Sequence, residues 1–382
     1  MTAGAAARRT GRTATGEAPQ GVGTELFLEL ARMVASLAEV QSLRSFALPY
    51  PGLAQRALDR TVLHCLDVGE PPPQSLPELW EWCRTRPADD PLFAVPAALL
   101  TPGTTLVHPV GRMPTRSCLE IASHGPDGGV AAHARALLDD LEARCGTGDR
   151  YRRCRRFLAR HPVVHQQDRF GPGWSKAVWS RVKDLYGSIP ESLLTDGVFL
   201  RCPTCGLPAL PGERDRPVPG PQATDDDLWC EGEVCPRDEA PELIRDPEQA
   251  WIVRSPLRMF LALPHRTEEA AREALDRAGI GHAALPGPLC AFRLTDTGPD
   301  LLDIQVHDRL QPTLLAARLA DSAAPADRTL VVVPEALVGR DGYRETFIDA
   351  LPAFLRDRLV LTTPADLVPD LGRVLGEKEN DA

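Results

Sequence analysis

RCPTCG at residues 201–206 and WCEGEVCP at residues 229–236 place a C-x2-C pair and a C-x4-C pair on either side of 24 intervening residues. Zinc takes four soft ligands in a tetrahedron, and two such pairs carried on turns supply all four. The intervening PALPGERDRPVPGPQATDDDL is polar and rich in Pro and Gly, so it cannot build a core of its own. A metal would hold its two ends together. The pattern points to a structural zinc ribbon formed by Cys202, Cys205, Cys230 and Cys235, with reduced thiols or a disulfide as the alternatives. Protein would fill every coordination position, leaving none open for a catalytic water.

Around this centre the chain has 382 residues, enough for several domains of about 100–200 residues each. A hydrophobic content of 43% and a charged content of 25% imply packed cores rather than global disorder. No apolar run approaches the roughly 18 residues that cross a bilayer, so no membrane partner is expected. Residues 1–22 are basic without an apolar segment behind the arginines and read as a disordered cytoplasmic tail. The formal net charge of -10 argues against nucleic-acid coating by the whole surface, so any such contact must be local. Arginine is abundant, whereas lysine occurs only at Lys176, Lys183 and Lys378. The six scattered cysteines, Cys65, Cys83, Cys118, Cys145, Cys154 and Cys290, read as small buried hydrophobes in a reducing compartment.

Residues 23–190 read as a mainly helical region. Leu26, Leu30, Met33 and Leu37 repeat at helical spacing behind Thr24 as N-cap, and further helices are expected over Leu53–Leu66, in ELWEWC and over Gly129–Arg144. RYRRCRRFLARH follows. On a helix, Arg152, Arg156 and Arg160 form one i,i+4 row, with Tyr151, Cys154, Phe157 and Leu158 on the inward side. Arg152, Arg153, Arg156 and Arg160 are therefore candidates to hold nucleic-acid phosphates, the alternative being a solvated face that pairs with acidic residues elsewhere. Trp174, Trp179 and Tyr186 are expected to pack rather than stack on bases.

Residues 191–245 form the zinc-ribbon module. From 246 to 373 the pattern becomes α-β-β-α-β-α-β: a helix over Thr267–Ala278 capped by Thr267, strands at Leu289–Leu294 and Leu301–Val306, and a helix over Pro312–Ala320. A strand at Thr329–Val333, a helix over Tyr343–Arg356, a last strand at Leu359–Leu361 and a flexible tail over 374–382 complete it. The fold class is multidomain, α plus α/β. No Walker loop, GxGxxG or GxSxG occurs, so nucleotide hydrolysis, dinucleotide binding and serine-hydrolase chemistry lack support.

PDLLDIQVHDR within such an α/β domain resembles the PD-(D/E)xK nuclease core. The order of parts, from RYRRCRRFLARHPVV through RCPTCG and LWCEGEVCP to DIQVHDRLQPTLLAARL, resembles restriction-endonuclease-like proteins associated with prokaryotic Piwi-RE (pPIWI-RE) systems over roughly residues 150–375. The resemblance implies a DNA-targeting nuclease-like subunit of a defence system. It would act on DNA or an RNA–DNA hybrid beside a Piwi-like protein and a helicase, and would use Mg2+ or Mn2+ if its nuclease-like domain is active.

Strand alternation puts Asp303, Gln305 and His307 on one face, making them the candidate catalytic residues: Asp303 as metal ligand, Gln305 as a neutral ligand and His307 to position or deprotonate water. The family pattern calls for an acidic residue, any residue and then Lys, where this chain has Gln305, Val306 and His307, and no lysine lies between Lys183 and Lys378. The preceding strand offers no carboxylate before Asp296, and Asp300 is too near Asp303 to come from a separate strand. Two readings stand: a metal-dependent deoxyribonuclease with variant or lost catalytic residues, and a non-catalytic zinc-ribbon adaptor that binds nucleic acid or protein.

Overall fold

The structure is a computed structural model that describes residues 21–39, 48–124, 129–171, 174–211, 228–236, 240–285, 290–295, 302–321 and 328–381. Residues 1–20, most of the expected tail, lie outside these, as do Asp296, Asp300 and most of the linker between the cysteine pairs.

The first core is built by α1 (Val22–Glu39), α2 (Gly52–Val68), α3 (Leu76–Thr85) and α4 (Arg116–Ala122). Leu26, Leu30, Met33 and Leu37 of α1 are buried as their spacing predicts, with Phe27 edge-on to Phe93 at 5.1 Å. The helix begins before Thr24, so that residue lies inside it rather than capping it. Ser75 does cap α3, accepting from the Glu78 amide, and Thr115 caps α4, accepting from the Cys118 amide.

The second core is formed by α5 (Gly129–Cys145), α6 (Gly148–Arg160) and α7 (Lys176–Val182), against a three-stranded antiparallel sheet. That sheet pairs β1 (Val163–His165) and β2 (Tyr186–Ser188) on either side of β8 (Ala250–Val253). β8 lies beyond the ribbon in sequence, as do α8 (Ser255–Leu257) and the π-helical stretch Arg258–Ala262, yet Val253, Leu257 and Met259–Leu263 pack into this core. The chain therefore returns to its helical region just after the boundary the sequence suggests at residue 246. Only the tertiary structure pairs β8, because neither partner strand is close to it in sequence. Trp174, Trp179 and Tyr186 do pack, as a stack reaching Trp251.

The cysteine module contains β3 (Leu194–Thr195), β4 (Val198–Arg201), β5 (Pro208–Pro211), β6 (Leu228–Cys230) and β7 (Glu242–Ile244). The strands run in the order β3-β4-β5-β6, with β7 also paired to β4. Asp196 and Gly197 close the β3–β4 hairpin with positive φ at both positions, the usual requirement of a two-residue turn.

The C-terminal domain comprises α9 (Leu263–Arg277), β9 (His282–Ala284), β10 (Ala291–Leu294), β11 (Leu302–Val306), α10 (Pro312–Asp321), β12 (Arg328–Val332), α11 (Glu335–Val338), α12 (Tyr343–Ala350), α13 (Ala353–Arg356), β13 (Leu359–Thr362) and α14 (Leu367–Asp381). Its sheet runs β13-β12-β11-β10-β9, antiparallel from β9 to β11 and parallel from β11 to β13. Leu330 and Val332 pack toward α9 and α14, and Val331 and Val333 toward α10 and α12, so β12 is apolar on both sides. Leu302, Ile304 and Val306 face α9 and α14, which turns Asp303 and Gln305 to the opposite face.

Several boundaries move. The helix expected from Thr267 starts at Leu263, and the one expected over Tyr343–Arg356 is broken ahead of Pro352. Strand β9 is too short to signal itself, and α14 continues helically through 374–381, where the sequence suggests a tail.

Two buried polar contacts join the modules. The Arg155 guanidinium and Arg272 both reach the Glu268 carboxylate at 3.1 Å, tying α6 to α9. Burial alone would raise the Glu268 pKa, but His265 and the two arginines outweigh it and hold the carboxyl well below its ordinary value. Arg116, only 1% exposed, donates to the Gly232 carbonyl at 2.8 Å and to Asp308 Oδ1 at 2.5 Å. Glu120, one turn on, accepts from the Leu310 and Gln311 amides at 2.8 and 3.0 Å.

Arg116→Met is expected to destabilise the chain by about 3–5 kcal/mol in chemical denaturation, because it strands the buried Asp308 and Glu120 carboxylates. Adding Asp308→Leu should recover part of that loss. Glu268→Gln should cost about 3 kcal/mol at pH 7. A depressed folded-state pKa stabilises above the unfolded value and loses its effect as pH falls. The gap between wild type and Glu268→Gln should therefore narrow below pH 4.5, the ordinary value, read by thermal melts across pH.

Candidate functional site

The four cysteines converge. Cys202 follows β4, Cys205 sits in the turn before β5, Cys230 ends β6 and Cys235 lies in the next turn, with all four Sγ atoms within 4.8 Å of one another. The first turn is closed by the Gly206 amide donating to the Cys202 carbonyl and the Cys202 amide donating to the Leu207 carbonyl, both at 2.9 Å. Gly206 takes φ 72°, a left-handed conformation that side chains disfavour. In the second turn a Cβ on Gly232 would lie 2.8 Å from Cys235 Sγ and 3.2 Å from Cys205 Sγ, so only glycine lets the backbone pass this close to the sulfurs. None of the ten cysteines is in a disulfide. Four thiols around one point, with the backbone cleared to admit them, fit a tetrahedral zinc ion that stabilises the fold when bound. The six single cysteines are all buried, as their isolated placement predicts.

The cysteine module is a hub. Trp229 packs so closely on Gly111 that a Cβ there would lie 2.6 Å from its ring, Glu231 pairs with the buried Arg258 at 2.7 Å, and Glu233 Oε1 accepts from the Arg116 amide at 2.8 Å. Val234 packs on the C-terminal core. No sequence signal marks Arg116, Glu120 or Arg258, since the carboxylate or amide partner of each lies more than 25 residues away along the chain.

Asp303, Gln305 and His307 share one side of β11 and its exit, as alternation predicts. His307 Nε2 lies 3.4 Å from Gln305 Oε1. Asp303, however, is engaged: Arg293, directly opposite on β10, donates through Nε to Oδ1 at 2.7 Å and through Nη2 to Oδ2 at 3.1 Å. Burial, followed by the charges of Arg318 and Arg309, pushes the His307 pKa down to about 3, so the imidazole is neutral near pH 7. Among the described residues, the four cysteines are the one group of three or more His, Cys, Asp or Glu side chains close enough to share a metal, and Asp303 is outside it. Arg309 stacks on Phe260 at 4.3 Å, and with Arg318 it lines a small cavity that also contains Glu120 and Asp321. Arg340 lies on an exposed turn.

The arginines of α6 separate by role. Arg155 turns inward to Glu268, Arg152 pairs with Asp149 on the exposed side, and Arg160 reaches Glu269. Arg153 and Arg156 line a groove of about 520 Å³ between α6 and α7 that also holds Arg150, Arg160, Arg181 and His161. The i,i+4 row of Arg152, Arg156 and Arg160 thus does not act as a unit, and Arg181 enters from a helix that sequence spacing could not connect to α6.

The helical module ending in α6 and β1 now has a defined shape and charge. Residues 26–165 match the family model of the pPIWI_RE three-gene island domain Y. The match associates the chain with pPIWI-RE systems as a defence-system component with partners in the same system. The domain Y match runs from α1 through β1 and contains Arg116, Glu120 and the α6 arginines, but stops before the cysteines and the C-terminal domain. It overlaps only residues 150–165 of the segment whose motifs carried the family resemblance. No curated protein and no solved structure gave a match. Among the described residues, no helix is long and apolar enough to cross a membrane.

The purified chain is expected to carry about one zinc, measured by elemental analysis. Cys205→Ser should abolish it. Chelation should lower the melting temperature of the wild type but not that of the variant, because metal binding energy is folding energy at such a site.

Proposed function

We propose that this chain is a DNA-targeting, non-cleaving subunit of a pPIWI-RE defence system, working in the cytoplasm beside a Piwi-like protein and a helicase that supply the chemistry. Its C-terminal domain is read as a PD-(D/E)xK restriction-endonuclease-like module that has lost its active site. The arrangement α9-β9-β10-β11-α10-β12, with three antiparallel strands followed by a helical crossover to a parallel one, supports that kinship.

The observation that carries the loss of activity is the Arg293–Asp303 pair. Two-metal or one-metal phosphodiester cleavage needs carboxylate oxygens free to hold a divalent cation and a group that positions or activates water. Here both Asp303 oxygens are occupied by a guanidinium, a permanent cation that cannot serve as a base. Gln305 is a weak neutral ligand. The neighbouring Arg309 and Arg318 add positive charge where a metal would have to enter. The structural zinc, the Glu233 and Arg116 contacts and the basic α6 surface then serve to hold and orient nucleic acid for partners.

The test is incubation of the zinc-loaded protein with single-stranded DNA, duplex DNA and an RNA–DNA hybrid in Mg2+ or Mn2+. No cutting is expected, together with retention of nucleic acid that weakens as salt rises. Metal-dependent cutting that disappears in both Asp303→Ala and His307→Ala would instead establish a variant nuclease.

A further inference from the structure

The groove between α6 and α7 has a composition unlike the rest of this acidic chain. Five arginines line it, Arg150, Arg153, Arg156, Arg160 and Arg181, and no acidic side chain does. Of these only Arg160 has a recorded carboxylate partner among the described residues, Glu269 on α9. Arg181 is oriented by donating to the Ala177 carbonyl within its own helix. Two of the chain's three lysines flank the same helix, Lys176 at its first position and Lys183 immediately after it. Gathering this much like charge in one concavity raises a local positive potential that draws anions to it.

We infer that this groove is a binding site for the phosphate backbone of a single-stranded nucleic acid. The inference rests on the nucleic-acid-targeting reading above and names the form of the ligand. Arg150, Arg153, Arg156 and Arg160 are spaced along about 15 Å of helix, at about 1.5 Å per residue, so they present a row of forked donors rather than a point charge. A row tracks successive phosphates; a point charge holds one.

The concavity decides between one strand and two. A duplex displays its phosphates on a convex cylinder, and it is read by convex elements that enter a groove about 12 Å wide. The basic residues here line a slot of about 520 Å³ whose far wall is α7, which excludes the body of a duplex and admits a strand. The slot also has an aromatic floor. Phe157 lies beneath it, and the exposed His161 ring, 4.7 Å from that of Phe157, lines the same slot and offers a face on which a base can lie. Charged walls and a ring on which a base can lie are the features that sequence-independent single-strand sites share.

The experiment is fluorescence anisotropy with the full-length, zinc-loaded chain. The probes are a labelled oligothymidine of about 15 nucleotides and a duplex of the same length, titrated at several salt concentrations. The strand should bind at least about tenfold more tightly than the duplex. Arg153→Ala/Arg156→Ala should weaken strand binding by about tenfold or more and make the slope of log K against log salt shallower by about 1.4, the share of two phosphates. Arg181→Ala, on the facing helix, should weaken it several-fold, while Arg277→Ala, an exposed charge at the end of α9, should leave it unchanged. These side chains are mostly exposed, so melting temperatures should stay near wild type.

Duplex binding equal to strand binding, or insensitivity to Arg181→Ala, overturns the groove while leaving the targeting function standing. So does an Arg152→Ala loss as large as that of Arg156→Ala. Failure of both probes to bind at low salt overturns both.

Discussion

The architecture hangs on one buried cation. Arg116 projects from α4 into a point where its helix meets two distant chain segments, and it donates to both: to the Gly232 carbonyl and, through its own amide, to Glu233 in the second cysteine turn, and to Asp308 at the exit of β11. Burying a guanidinium is costly unless its charge and donors are met. Asp308 meets the charge, and Glu120 stands 3.9 Å away while spending its own oxygens on the Leu310 and Gln311 amides. Gln311 extends the network to Thr104 and Ser117, and its carbonyl oxygen accepts from the Thr101 amide. The relative placement of the modules is thereby specified by groups that have no alternative partner once buried.

This arrangement gives the cysteine cluster a role beyond its own small sheet. A metal that orders the Gly232–Glu233 turn also orders two of the acceptors on which Arg116 depends, so the stability of the ribbon and the docking of the flanking domains are linked through backbone positions rather than through the metal itself. The apolar cluster beside the sulfurs consists of little more than Leu200, Cys202 and Ala209, while Leu193, Phe199 and Ile244 of the same module pack away from the turn with Val163, Ala250 and Ile252, so hydrophobic burial at the turn itself is slight. Val234 on the same turn then packs, partly buried, against the C-terminal core and adds an apolar contact to the junction.

Charge is distributed by the same logic. The arginines that look alike in RYRRCRRFLARH have different fates because a helix turns them by about 100° per residue. Arg155 faces α9 and is consumed by Glu268; Arg153 and Arg156 face the slot. Arg293 neutralises Asp303 across the β10–β11 ladder, where two residues paired in register sit close enough for a bidentate contact. A carboxylate that a sequence alone offers as a metal ligand becomes half of an ion pair.

The sequence by itself determined what depends on local spacing. The four cysteines, the amphipathic α1, the buried single cysteines and the alternation that puts Asp303, Gln305 and His307 together follow from periods of 3.6 or 2 and from ligand spacing. Strands of three residues such as β9, and the pairing of β8 with β1 and β2, lay beyond it because short strands carry too few side chains to show a period and their partners come from distant segments. The contents of the candidate sites were decided only in three dimensions. Arg293 lies ten residues from Asp303, Arg181 lies beyond a separate strand from α6, and Arg116 lies 192 residues from Asp308. Electrostatic partnership is a matter of distance in space, and a sequence states only distance along the chain.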